Sequence, residues 1–223
     1  MFSGLTEDTY RFFWELAFHN DKTFFEENRE QYKQVVYQPL KELTELLSPT
    51  IEEIDDRLST RPASVISHIY RDTRYTKDKS PYRDHAWIGF KMPGSMISEN
   101  FVLYAEFNRD SYGYGMGMYA PNPEMMAKLR ANILAKPEKF ISLVSEHQFQ
   151  QTFQLEGQAY KRPKFTEAPE AVIPYLNYRN ISFCFSSENL SNTMKPEIHA
   201  EIRDAFLLMK PVYRFLMGLS ETV

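Results

Sequence analysis

Hydrophobic and polar positions alternate with two different periods along this chain, and the change of period divides it. From Thr6 to about Leu58 the apolar residues recur at helical spacing. Thr6, followed by Glu7 and Asp8, is a helix start, and Tyr10, Phe13, Trp14 and Ala17 then form one face. Asp21 caps a second helix with Phe24, Phe25, Tyr32, Val35 and Val36. Pro39 marks a kink or a fresh start, and Leu40, Leu43, Leu46 and Leu47 continue to about Ser48-Pro49. A short helix is expected from Thr50 to Leu58.

After Pro62 the pattern is strand-like. Ser64 to Tyr70, Ala86 to Lys91 and Phe101 to Phe107 read as strands, the last most clearly. Asn108-Arg109-Asp110-Ser111 reads as a hairpin turn into Tyr112–Tyr119. There Gly113, Gly115 and Gly117 share one face, so something packs very close against bare backbone or the strand bends. Pro121 and Pro123 open a helix with Met125, Met126, Leu129 and Ile133, and Pro137 opens another with Phe140, Ile141 and Val144. Ile181–Phe185 is a short strand. Ile198, Ile202, Ala205, Met209, Val212 and Leu216, spaced four, three, four, three and four, form the amphipathic seam of a last helix that Pro211 would kink.

Helices flanking a run of strands, without βαβ alternation, predict one α+β domain over 1–223 with a mainly antiparallel central sheet and N- and C-terminal helices packed on it. Its parts are N-terminal helices over 6–58, a sheet region over 64–119, a helical and irregular region over 122–180, and a short strand and C-terminal helix over 181–218.

Composition narrows the chemistry. The 223 residues are 43% hydrophobic and 15% aromatic, with a formal net charge of −4, which argues against a general nucleic-acid coat protein. The single cysteine, Cys184, precludes an internal disulfide and a Cys-based metal site; in Ile181–Phe185 it reads as a buried structural thiol. No signal-like N-terminus and no membrane-length apolar run is present, so a soluble cytoplasmic protein is expected.

The chemistry-bearing stretch is Ile69–Arg83. Between Arg71 and Arg83 it holds five basic side chains and two carboxylates, with tyrosines among them. Arg71, Arg74, Lys77 and Lys79 suit a phosphate or carboxylate if they line one concave site, with Arg83 beside them and Lys161, Arg162 and Arg130 joining from elsewhere. Tyr75 and Tyr82 would stack on a ring, and Asp72 and Asp78 would hold the cations in place. The ligand would be an anionic small molecule or phosphate group, with nucleic acid a further partner class. The same alternation is what a structural ion-pair network looks like, and both readings stand. An enzyme acting on a phosphorylated substrate is the second function class. A conceivable metal group is Asp72, Asp78, Asp84 and Glu106, each more often a plain salt-bridge residue. No Walker sequence, HExxH or serine elbow occurs, so no catalytic residue, metal ligand or cofactor is assigned. His68 and His85 flank the motif as hydrogen-bonded histidines or, less commonly, a base. A third class is an interaction protein anchored by Tyr112, Tyr114 and Tyr119.

The run Arg71-Asp72-Thr73-Arg74-Tyr75, then Lys77-Asp78-Lys79-Ser80-Pro81-Tyr82-Arg83, resembles the signature of the domain-of-unknown-function 2461 family. Supporting resemblances are Asn20–Asn28 with Phe24-Phe25, where the family often has Trp-Phe, the glycine strand into Tyr119-Ala120-Pro121, Leu129-Arg130, and Lys161-Arg162-Pro163-Lys164. Leu176–Asn180 fits more loosely, with Arg179 where the family tends to Lys. The resemblance spans essentially the whole chain and implies no activity, since the family has none established.

Overall fold

A computed structural model describes residues 2–74 and 77–220. Helix α1 (Glu7–Phe18) buries Tyr10, Phe12, Phe13 and Leu16, while Trp14 turns outward. Helices α2 (Lys22–Glu27) and α3 (Arg29–Tyr32) lead through a π-helical turn, Lys33–Tyr37, into α4 (Gln38–Ile54). The π turn has a local cause. Pro39 has no N–H to give the Val35 carbonyl four residues back, and Thr9 Oγ1 donates to that oxygen instead, at 2.6 Å.

The helix expected to begin at Thr50 is not separate. Helix α4 runs through Pro49, because its buried stripe of Leu40, Leu43, Leu47, Ile51 and Ile54 keeps to one face across the proline. The strand expected over Ser64–Tyr70 is likewise replaced. One helical turn, α5 (Pro62–Val65), is followed by irregular chain with isolated bridges Ile66–Ile88 and Tyr70–Tyr82. Val65, Ile66, Ser67 and Ile69 are buried while His68 and Tyr70 are exposed, so burial does not alternate along the run as in a half-buried strand.

The sheet is antiparallel throughout, in the order β1-β2-β3-β5-β4. Its strands are β1 (Ala86–Phe90), β2 (Val102–Phe107), β3 (Tyr112–Gly117), β4 (Gln154–Ala159) and β5 (Tyr178–Ser187). Helices α6 (Pro123–Ala135), α7 (Pro137–Val144), α8 (His147–Thr152) and α9 (Ile173–Leu176) fill the chain between β3 and β5. The last helix, α10 (Ile198–Met217), carries Pro211 within it and stops at Gly218, whose φ of 66° is left-handed. The fold is α+β, with α4 and α10 packed on the sheet. Among the described residues no helix is long and apolar enough to cross a membrane.

Register decides what each face of the sheet carries. Ile88, Ala105, Tyr114 and Phe185 lie in one row on the core side. There Tyr112 and Tyr114 are buried and both donate to Glu201 of α10 at 3.1 Å. Their proposed role as surface anchors is therefore excluded, and of the three tyrosines only Tyr119 is exposed, at 70%. The opposite face presents Trp87 and Glu106 in one row, Tyr104 with Gly115 and Cys184 in the next, and Val102, Gly117 and Ser182 beyond. Among the described residues, no layer of helices matches α10 on this side.

Candidate functional site

The glycine strand forms the floor of that open face. What approaches it is the backbone of β5: a Cβ on Gly115 would stand 2.5 Å from the Phe183 carbonyl oxygen and 3.0 Å from the Tyr104 hydroxyl. The close packing expected from the glycine spacing is thus supplied by the neighbouring strand and a tyrosine tip. The bare floor lets side chains from β2, β4 and β5 lean over β3 toward one another.

A cavity of about 200 Å³ opens on this face. Trp87, Tyr104 and Tyr119 supply its aromatic walls, Glu106 its carboxyl group, and His85 and Ser182 its remaining polar side chains. Ile97, in a turn over β1, closes one side. The rings of Trp87 and Tyr119 are 6.4 Å apart and within 20° of parallel, and His85 stacks on Trp87 at 5.7 Å.

The electrostatics of this face follow from burial. Desolvation raises the Glu106 pKa, and the nearby Glu156 carboxylate raises it further. The Cys184 thiol is pushed up to about 12 by burial and by Glu156, which keeps it protonated and poorly nucleophilic. Burial also raises the Tyr104 hydroxyl. His85 is held below its usual value by burial, against the opposing effect of its hydrogen bond to Asp84, so it is neutral at pH 7.

The Arg71–Arg83 motif lies beside this cavity as a loop leading into β1. Its base is tied by the Tyr70–Tyr82 bridge, with Arg71 N–H on the Pro81 carbonyl at 2.9 Å and Arg83 N–H on the Ile69 carbonyl at 2.8 Å. Asn20 anchors it from the α1–α2 turn, donating to the Tyr82 carbonyl at 3.0 Å and accepting its N–H at 2.9 Å.

Within the loop the charges pair locally. Arg74 grips Asp72 through Nε at 3.0 Å and a terminal nitrogen at 2.7 Å, and this holds Asp72 at about 2. Arg71 pairs with Asp78 and reaches Asp84 at 3.5 Å, while Lys79 donates to the Thr73 carbonyl at 2.7 Å. Hydrogen bonds from Ser80, its side chain first and then its N–H at 2.9 Å, lower the Asp78 pKa, with a smaller contribution from Arg71. Asp84 also receives His85 at 3.2 Å and Arg109 at 3.3 Å. Arg83 donates to the carbonyls of His68 and Tyr70 and lies over the Trp87 indole. Lys77 is exposed, and Tyr75 lies outside the described residues.

The structure places three of the expected groups in other surroundings. Tyr82 is buried, 4.4 Å from the stacked Phe25 ring and 5.5 Å from Tyr70, so it is a core residue rather than a platform for a ligand. Lys161 and Arg162 follow β4, at the opposite edge of the sheet from β1, on the order of 19 Å away by strand spacing. Arg130 is buried and donates to the carbonyls of Leu176 and Tyr178, with the Phe165 ring 4.7 Å away, so it braces the 160–178 segment. Asp72, Asp78, Asp84 and Glu106 do not converge, and among the described residues no group of three or more His, Cys, Asp or Glu is placed to hold a metal.

A larger cavity, about 600 Å³, opens between α6, α7 and α10, with Lys210 and Arg214 in its wall. Those two cations turn to α4, Lys210 to Glu53 at 2.8 Å and Arg214 to the Ile54 carbonyl at 2.9 Å. The open-face cavity, with its rings and buried carboxyl group, is chemically the more selective of the two.

The model of a family of conserved hypothetical proteins, DUF2461, matches residues 8–215. The chain belongs to this family. That span takes in the motif, all five strands and nearly all of α10. A search of curated proteins finds no match to the chain. Within that span the Arg71–Arg83 motif is a loop whose charges pair locally and which leads through Arg83, Asp84 and His85 to Trp87 in the wall of the open-face cavity.

Proposed function

We propose that this DUF2461 protein binds a small molecule in the cavity on the open face of its sheet, with the Arg71–Arg83 loop as the scaffold of one wall. One observation carries the reading: Glu106, a carboxyl group partly withdrawn from water, faces a cavity walled by Trp87, Tyr104 and Tyr119. Convergent polar and aromatic groups in a concavity are what small-molecule sites use to orient a ligand.

The chain's two tryptophans make the test direct, since Trp87 lines the cavity and Trp14 lies on the outer side of α1. In a fragment screen followed by ¹⁵N NMR, binders are expected to move the Trp87 indole N–H and the amides of Gly117 and Met118 while leaving Trp14 in place. A screen in which no compound moves Trp87 removes this reading.

A second reading, a phosphate-bearing ligand at the Arg71–Arg83 motif, is favoured by one feature. Arg71 Nε is buried and has no hydrogen-bond acceptor among the described residues. Titration with inorganic phosphate and with short oligonucleotides at low salt tests it. Binding that falls with salt and is lost in Arg71→Ala supports it, and unchanged motif amides count against it.

A further inference from the structure

Resting on the cavity reading above, we infer that the ligand of this site is a compact organic cation, an amine or guanidine carried on or beside a small ring, recognised by Glu106 and the faces of Trp87, Tyr104 and Tyr119. The charge pattern of the wall carries this. Among the described residues that line the cavity, Glu106 is the one ionisable as an anion at neutral pH, and no Lys or Arg is among them. Three aromatic rings complete the enclosure, and their faces carry the negative end of the ring quadrupole. An ammonium placed against a ring face and next to the Glu106 carboxylate is attracted by both; a carboxylate or phosphate placed beside Glu106 is repelled by it, and the Arg83 cation at the rim is already engaged over the Trp87 indole.

The size is restrictive. At about 200 Å³ the cavity is below the range of pockets for drug-sized molecules, roughly 300–1,000 Å³, so the ligand is small. The molecule also shows this preference internally. Arg83 already lies over the Trp87 indole, 4.9 Å from its centroid, with its hydrogen bonds turned to the His68 and Tyr70 carbonyls. An incoming cation is therefore directed to the Tyr104, Tyr119 and Glu106 side.

Proton linkage gives the reading an independent signature. Glu106 is faced by Glu156 from β4, Tyr104 from its own strand, Cys184 from β5 and His85 from the segment entering β1. Burial and Glu156 favour its protonated form; a bound cation favours the carboxylate. Near and below the raised Glu106 pKa, binding therefore releases a proton, and it weakens as the pH falls through that value.

The test uses three molecules of one shape: benzylammonium, benzyl alcohol and benzoate, titrated into the full chain at pH 7.5 and followed at the Trp87 indole and by calorimetry. Benzylammonium is expected to bind about tenfold more tightly than either of the others. The preference should vanish in Glu106→Gln, shrink in Tyr119→Ala, which alters an exposed ring and spares the core, and decline toward acid pH. Equal or tighter binding of the alcohol or of benzoate, with Trp87 shifted, overturns the charge class and leaves the cavity reading standing. If none of the three shifts Trp87, the charge class is also overturned, and the fragment screen then decides the cavity by itself.

Discussion

The guanidinium of Arg83 lies over the indole of Trp87, 4.9 Å from its centroid, and this contact joins the charged loop to the cavity wall. Burial lowers the Arg83 pKa from its usual value, but an arginine starts so high that the charge stays. The C-terminal end of the loop is thereby held twice, by the Arg83 cation on a ring and, one residue earlier, by Asn20 on the Tyr82 backbone. Its internal ion pairs are mostly exposed and add little each, on the order of 0–1 kcal/mol. What they fix is the path of the chain from Tyr70 to Asp84, and so the direction in which His85 and Trp87 point.

Asn20 is the clearest test of that path. Its side chain makes both hydrogen bonds that a flat amide can exchange with the Tyr82 backbone. Asn20→Ala leaves a part-buried N–H and carbonyl without partners and is expected to cost about 1–3 kcal/mol in urea unfolding. Because Tyr82 stacks on Phe25, the Trp87 indole resonance should also shift as the loop loosens. A variant of unchanged stability and unchanged Trp87 resonance would show that the loop is held elsewhere.

Gly115 tests the floor. A methyl group there meets the Phe183 carbonyl oxygen at 2.5 Å, so β3 and β5 must separate. Gly115→Ala is expected to cost about 2–3 kcal/mol, the usual range for forcing atoms into a packed place. Gly94→Ala is the control: it has open space around it but a φ of +76°, so it should cost only about 1–2 kcal/mol of backbone strain. A reversed order in thermal or denaturant unfolding would contradict the close strand approach.

How much of this is legible in the sequence depends on what reports each feature. Strand β2 is legible because Phe101–Phe107 is apolar enough to mark itself, and the seam of α10 because its spacing is regular. Strand β4, Gln-Leu-Glu-Gly-Gln-Ala, escapes detection: it is an edge strand with one half-buried residue, so burial leaves no pattern in it. Pro49 misleads because a proline breaks a helix locally while a buried stripe can carry the helix past it. The charged motif is visible as a run of residue types, yet its pairings are geometric. The cavity is hidden for the same reason. Trp87 and Glu106 become neighbours only through the β1–β2 register, and Ser182 through two further pairings, none of which a single sequence prints. The alternating glycines are the one hint, since they show that a face of the sheet is bare.

Thr9 and Pro39 are coupled through a third residue, the Val35 carbonyl. Thr9→Val keeps the shape and removes the donor, so it is expected to cost about 1–2 kcal/mol. Pro39→Ala supplies an N–H that can take the same carbonyl and let the π turn relax to regular helix. The cost of Thr9→Val should therefore be smaller in the Pro39→Ala background, and a double-mutant cycle in urea measures the difference. Strictly additive effects would mean that the hydroxyl is not serving the proline's missing donor.

Glu106 yields the prediction that separates function from stability. Its pKa is raised in the folded state, by burial first and by Glu156 second. Where pH is above the folded pKa, the folded protein holds a charge it disfavours and the unfolded chain does not, so Glu106 destabilises the fold. As pH falls through that raised value the folded state takes up its proton first, and the destabilisation is lost progressively until the pH is below the ordinary carboxylate value of the unfolded chain. Glu106→Gln, close in shape and permanently neutral, should therefore be more stable than the natural chain at pH 7. That advantage should shrink steadily toward acid pH, as read from melting temperatures across a pH series. A residue that weakens its own fold at neutral pH, at the floor of a ring-walled cavity, is what a site held for binding looks like. Should Glu106→Gln instead be less stable at pH 7, the carboxylate would be a structural partner and the cavity would lose its strongest argument.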